Sequence, residues 1–140
     1  MPSRTLIRCV SATHRFWYRL TGGAIGGKLG KAPMLLLTTT GRKSGRRRTT
    51  PLLYLADGEN MVVIASNGGS DRDPGWWVNL KHNPRAEVQV RRARKTVTAE
   101  KASAEEKGRL WPLITDMYGG YEGYQRRTTR DIPVVILKPE

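Results

Sequence analysis

Acidic residues are scarce in this chain. Its 140 residues carry 12 Asp and Glu against 25 Lys and Arg, a formal net charge of +13. A single cysteine, Cys9, excludes an internal disulfide framework and a cysteine-rich metal site. The two histidines, His14 and His82, lack carboxylates at the spacings a zinc site needs. No stretch approaches the roughly 20 apolar residues of a membrane-spanning helix. The N-terminus has no apolar core or small-residue cleavage site, so no secretory signal is expected. No G-x-G-x-x-G follows a strand and opens a helix, and no G-x-x-x-x-G-K-[ST] occurs, which removes the dinucleotide and P-loop readings. Internal repeats and low-complexity tracts are also missing.

What is present suits one folded domain. The length falls in the single-domain range and lets about two thirds of the unfolded surface be buried. Four Trp, five Tyr and several Val, Leu and Ile runs argue against disorder. The basic excess points to an anionic partner, although solvated surface charge would give the same composition. The cations cluster: Arg42, Lys43, Arg46, Arg47 and Arg48; Arg91, Arg92, Arg94 and Lys95; Arg126, Arg127 and Arg130.

Residues 1–32 read as an N-terminal helix and a glycine-rich connector. In residues 11–20, Phe16, Trp17 and Leu20 share one side of a short amphipathic helix, with Arg15 and Arg19 on another. Such a helix packs on its own domain or lies on an anionic membrane surface. Residues 33–140 have β punctuation. Strands are expected over Met34–Thr40, Thr49–Ala56, Met61–Ser66, Ala86–Val90, Thr96–Ala99 and Ile132–Leu137. Pro51 marks an edge or bulge. Turns are expected at 41–45, at Asp57-Gly58, and at 91–95. Pro74 opens a short helix to Leu80, and a capping box at Ser103–Glu106 starts another that runs to about Asp116. Short strands joined by hairpins predict a mainly β, α+β fold: an antiparallel barrel with helices packed outside.

Three constellations carry chemistry. In Gly41-Arg-Lys-Ser-Gly45, glycine amides beside Arg42 and Lys43 form a candidate phosphate nest, with Arg48 just beyond. Ser66-Asn-Gly-Gly69 precedes Pro74-Gly-Trp-Trp-Val-Asn-Leu80. There an indole can cover a planar ring and Asn79 can anchor a polar edge, unless the Trp pair is core. Tyr118, Tyr121 and Tyr124 recur at a spacing of three among Gly119, Gly120 and Gly123. Their hydroxyls can donate a proton or orient an oxygen, or the stripe simply packs on the barrel.

Taken in this order, with Leu35–Gly45, Pro51-Leu52, Asn83-Pro84 and Ile132-Pro133, these motifs resemble the deazaflavin-dependent nitroreductases, largely actinobacterial enzymes. The resemblance covers roughly residues 12–139. It implies an antiparallel split β-barrel of the flavin-reductase and pyridoxamine-oxidase type. It also implies the 5-deazaflavin coenzyme F-420, whose lactyl phosphate and oligoglutamate tail are polyanionic. On the matching positions it implies phosphate and tail contacts at Arg42, Lys43 and Arg48, with Ser44 and Gly45 shaping the turn. Thr50 and Pro51 would lie beside the ring system, and Ala65, Ser66 and Asn67 against the ring and its linker. Trp76 and Asn79 would close the pocket. Tyr118, Tyr121 and Tyr124 would form the substrate side, with Tyr121 also near the cofactor. Asn67 stands where many relatives carry Lys, which removes one cation.

The implied reaction is hydride transfer from the reduced deazaflavin to an electron-poor quinone, enone or nitro compound. Ser66 or a Tyr hydroxyl would meet the charge that develops on the acceptor oxygen. Two other readings stay open: an enzyme using flavin mononucleotide (FMN) on a similar barrel, and a nucleic-acid-binding module. The second is disfavoured because aromatics do not interleave the basic turn. A cytoplasmic location is expected, with peripheral contact at the inner membrane face if residues 1–20 bind lipid. Oligomeric state is left open.

Overall fold

The computed structural model describes residues 28–29 and 32–140, with side chains from Pro33 onward. Its strands, in chain order, are β1 (Lys28–Leu29), β2 (Ala32–Thr40), β3 (Arg47–Leu53), β4 (Leu55–Asp57), β5 (Asn60–Ile64), β6 (Arg85–Val90), β7 (Ala93–Lys101) and β8 (Val134–Pro139). Three α-helices accompany them: α1 (Gly75–His82), α2 (Ala104–Met117) and α3 (Gly120–Arg126). A 3-10 turn spans Asn67–Gly69.

Every strand pairing is antiparallel, in the order β1-β2-β6-β7-β8-β5-β4, with β3 on the other edge of β2. The chain from 47 to 57 joins the two ends of that sheet. Its first half pairs with β2 (Leu37↔Thr50, Leu35↔Leu52) and its second with β5 (Leu55↔Val62), with a break at Tyr54. The ring is therefore closed at one point only, and the result is an antiparallel split β-barrel. Pro51, without an N–H, sits on β3, whose second edge pairs with no strand among the described residues.

Strand alternation sorts the side chains into two cores. Leu35, Leu37, Met61, Val63, Val88, Val97, Val135 and Leu137 point into the barrel. Val62, Ile64, Val134 and Ile136 point outward, where Leu110, Ile114 and Tyr121 cover them. Each fully buried Val, Leu or Ile contributes about 1.5–3 kcal/mol relative to exposure, so both faces hold the sheet. Helix α1 plugs one mouth of the barrel, with Trp76, Trp77 and Leu80 in the inner core. The registers bring Thr40, Arg47, Ile64, Arg85, Lys101 and Val134 to that same end.

Helix α2 starts where its sequence demands. The Ser103 hydroxyl accepts from the Glu106 N–H at 3.1 Å, and the Glu106 carboxylate accepts from the Ser103 N–H at 3.1 Å. Other boundaries shift. The closing strand runs over Val134–Pro139 rather than Ile132–Leu137. The β6–β7 turn is only Arg91-Arg92, because Arg91 takes a left-handed φ of +56°; Arg94 and Lys95 stay in the ladder. Strand β5 stops at Ile64, two residues before Ser66. The expected helix over 11–20 lies outside the described residues. Within the expected connector, Lys28–Leu29 pairs with Ala32 and Pro33.

Candidate functional site

The basic turn between β2 and β3 is locked from within. Gly41 N–H donates to the Arg46 carbonyl at 2.7 Å, and Gly45 N–H to the Gly41 carbonyl at 2.9 Å. The Arg46 N–H donates to the Ser44 hydroxyl at 3.2 Å, and the Arg42 N–H to the Asn79 side-chain oxygen at 3.2 Å. Gly45, at φ +69°, supplies the left-handed residue that closes the turn. These bonds correct the expected nest: the amides of 41, 42, 45 and 46 are already spent. What the turn offers an anion is its side-chain charge. Lys43, Arg46 and Arg48 are exposed and have no carboxylate partner among the described residues, whereas Arg47 pairs with Glu87 at 3.1 Å.

Asn79 anchors this turn to the barrel. It is buried on α1, and its oxygen also accepts from the Arg42 guanidinium at 3.4 Å. Its amide donates to the Thr39 hydroxyl at 3.1 Å. Three of its four hydrogen-bonding positions are thus used inside the protein. Register sets Arg48 opposite Thr39, so Arg42, Arg48, Asn79 and Thr39 gather at the plugged mouth. Thr50 and Pro51 follow on β3, half-buried, opposite Leu37 and Leu36. Trp76 and Trp77 are seated in the inner core, 7% and 6% exposed.

The segment after β5 forms the second wall. Ala65 and Ser66 are buried, and Asn67 is exposed at φ +47°, a conformation asparagine tolerates well. The Asn67 side-chain amide donates to the Arg72 carbonyl at 3.1 Å. The Asn67 side chain therefore shapes the loop. Arg130 holds the same segment from behind. Its guanidinium donates to the carbonyls of Ala65 (3.0 Å), Ser66 (3.0 Å) and Ser70 (3.1 Å) and to the Asp73 carboxylate (2.8 Å). In the sequence Arg130 is only one member of a basic cluster. Nothing local marks it, because its partners lie 57 to 65 residues away.

The tyrosines form a mutual cluster beside this wall. Ring centroids of Tyr118 and Tyr121 are 5.1 Å apart at 86°, and those of Tyr121 and Tyr124 6.0 Å apart at 75°, the edge-to-face geometry aromatic pairs favour. The Tyr118 and Tyr124 hydroxyls are 3.3 Å apart. Tyr121 is buried in the outer core, and that burial pushes its phenol well above the ordinary tyrosine range. The Tyr118 hydrogen bond, with some desolvation, also raises the Tyr124 phenol. Both groups stay protonated at neutral pH, and Tyr118 and Tyr124 are the partly exposed members. Despite its glycines this segment is helical from Gly120 to Arg126, docked on the Asn67–Gly69 turn. The approach is so close that a β-carbon on Gly69 would lie 2.9 Å from the Tyr124 carbonyl oxygen.

Contacts thus chain the three constellations together at one end of the barrel: the tyrosine helix on the 67–69 turn, that segment leading into α1, and α1 on the basic turn. A cavity of about 990 Å³ occupies the other end. Tyr54, Met61, Val88 and Val90 line it, with Arg94 and Lys95 at its rim. None of the expected site residues lines that cavity. Among the described residues no group of His, Cys, Asp and Glu is placed to hold a metal ion.

Comparison with known proteins bears on the family and the fold. The family model described as "F420H(2)-dependent quinone reductase" matches residues 10–139. A curated relative from Mycobacterium tuberculosis strain H37Rv, named as an F420H(2)-dependent quinone reductase, is 44% identical over 128 residues, covering 89% of this chain and 86% of its own. A solved structure of an F420-H2 dependent reductase, FDR-A, superposes with a TM-score of 0.70 at 37% identity, covering 76% of this chain and 94% of its own. A further structure, described as a domain-swapped dimer, gives a TM-score of 0.72 at 34% identity, covering 91% and 94%.

Proposed function

The chain belongs to the F420H(2)-dependent quinone reductase family, and from that premise we propose that it is an oxidoreductase that passes a hydride from reduced coenzyme F-420 to a quinone-type acceptor. The observation that carries the reading is the set of exposed, carboxylate-free cations Lys43, Arg46 and Arg48 on a turn that Asn79 makes rigid. A polyanionic tail fits there: Arg grips phosphate or carboxylate bidentately, and Lys adds a point charge. The nitroreductase resemblance and the quinone reductase family meet on one cofactor and differ in the acceptor named. Enones and nitro compounds belong to the proposal as further acceptors.

When bound, reduced F-420 supplies a hydride from carbon 5 of its ring. Arg42, Lys43 and Arg48 hold the acidic arm, with Ser44 and Gly45 keeping the turn in shape. Thr50 and Pro51 would lie beside the ring system, and Ala65, Ser66 and Asn67 against the ring and its linker. Trp76 and Asn79 act from behind: the indole fixes α1 in the barrel mouth, and the amide fixes the turn. Tyr118 and Tyr124, partly exposed and with hydroxyls 3.3 Å apart, donate to the acceptor oxygen as negative charge develops, and Tyr121 packs behind them. One such donor is worth about 3–4 kcal/mol when it meets the transition state. Peripheral contact with anionic membrane through residues 1–20 suits a lipid-soluble quinone.

Titration of tryptophan fluorescence with oxidised F-420 tests the binding, with FMN as competitor. Lys43→Glu with Arg48→Glu should weaken F-420 about tenfold or more, equivalent to 1.4 kcal/mol, without lowering the melting temperature. Unchanged affinity in the double variant, or tighter binding of FMN than of F-420, refutes the assignment.

A further inference from the structure

We propose that Arg130 is a positioning residue for the hydride-transfer site, a role that rests on the F-420 reading above. One guanidinium gathers four separate groups of a single loop: the carbonyls of Ala65, Ser66 and Ser70, and the Asp73 carboxylate. The Arg130 side chain is only 16% exposed, so these bonds are largely shielded from water. The five donors of arginine sit in a fixed fork, and a lysine ammonium cannot reproduce that spread.

The consequence lies on the opposite side of the loop. In a trans peptide the C=O and the following N–H point in opposite directions. With the Ala65 and Ser66 carbonyls drawn to Arg130, the N–H groups of Ser66 and Asn67 face away from it. Arg130 thereby sets the orientation of the segment assigned to the ring and its linker without touching either. It also ties that segment to the tyrosine side, because its own carbonyl accepts from the Gln125 side chain of α3 at 2.7 Å. Its bond to Asp73, just before Pro74, fixes the entry to α1 as well. Displacement of a reacting group by about 1 Å can lower a rate about a hundredfold.

The experiment compares Arg130→Gln and Arg130→Lys with the parent in three measurements. Amide hydrogen exchange of the cofactor-free chain reads the loop directly. In Arg130→Gln, the Gly69 and Ser70 amides, bonded to the Ser66 and Asn67 carbonyls, should exchange at least about tenfold faster, while Val63 and Val135 in the core are unchanged. Steady-state kinetics with reduced F-420 and a soluble naphthoquinone should show kcat lower by about a hundredfold and KM for the quinone little changed. Arg130→Lys should restore the melting temperature without restoring kcat.

Faster loop exchange with unchanged kcat overturns the proposal, as does acceleration of core and loop amides by the same factor in both variants. If Arg130→Gln loosens the loop while the parent fails to bind F-420, the functional reading fails and the clamp stands. Normal F-420 turnover in Arg130→Gln removes the positioning role alone.

Discussion

Replacing Asn79 with Ala should be among the most disruptive single changes at this end of the barrel, and the structure allows its size to be estimated. The substitution removes one bond to the Arg42 backbone N–H, one to the Arg42 guanidinium and one to Thr39. Each such bond contributes about 0.5–1.5 kcal/mol net, and a donor left unsatisfied in a buried setting costs about 1–3 kcal/mol. Water reaches the exposed Arg42 more readily than buried Thr39, so a total loss of about 2–4 kcal/mol is expected. For a chain of this length that lowers the melting temperature by roughly 8–15 °C. Asn79→Asp provides the contrast. Its carboxylate still accepts both Arg42 bonds, now charge-assisted, and the Thr39 hydroxyl can donate to it. Less than half of the loss should remain. Calorimetry gives both numbers, and the F-420 titration should weaken in Asn79→Ala through the slackened turn even where the fold persists. A melting temperature for Asn79→Ala within about 3 °C of the parent, or Asn79→Asp no better than Asn79→Ala, would refute the view that this amide holds the basic turn in place.

Three further outcomes follow from the geometry. Gly69→Ala should cost at least about 2 kcal/mol, because its φ of +83° is left-handed and its new carbon would meet Tyr124. Gly45→Ala, left-handed but in open space, should cost only about 1 kcal/mol; equal losses in thermal melts would show that the tyrosine helix is not packed that tightly. Tyr118→Phe removes the main cause that raises the Tyr124 phenol, so phenolate absorbance in the near ultraviolet should develop at lower pH than in the parent. An unmoved titration curve counts against the hydroxyl pair. The Arg109 guanidinium, hydrogen-bonded at 2.8 Å, holds the Asp57 carboxyl below its usual range. That contribution is complete above the unfolded carboxylate pKa of about 3.9 and is lost as pH falls through the lower folded value. Urea midpoints of Asp57→Asn and the parent should therefore differ at pH 7 and converge below about pH 3; a gap that persists there refutes the link.

What was legible in the sequence was local. The Ser103–Glu106 box, the Asp57-Gly58 turn and the Met34–Thr40 strand each depend on residues a few positions apart, and each stands where expected. Pro51 announced an edge strand because a missing N–H excludes the centre of a sheet. An antiparallel barrel with helices outside was legible from short strands joined by hairpins, and the resemblance implied that it is split. What escaped was set by distance along the chain. Asn79 read as a ligand anchor, yet its partner Arg42 is 37 residues away and takes up its oxygen. Arg130 read only as one of a basic cluster for the same reason. Gly119, Gly120 and Gly123 count against helix in the sequence, because propensity says nothing of the turn on which Gly120–Arg126 packs. Trp76 and Trp77 illustrate the same gap. An aromatic pair before Asn79 has the same spelling whether it faces a ligand or fills a barrel mouth.

Strand 47–57 is a seam one strand wide. Its two halves answer to opposite margins of the sheet, and the strand breaks between them at Tyr54, whose N–H donates to the Pro33 carbonyl at 3.1 Å. Pulling that seam apart would strip hydrogen-bond partners from β2 and β5 at once and bare the backbone of both. Mechanical unzipping of this protein should accordingly begin there, since among the described strands no other segment must hold both margins together.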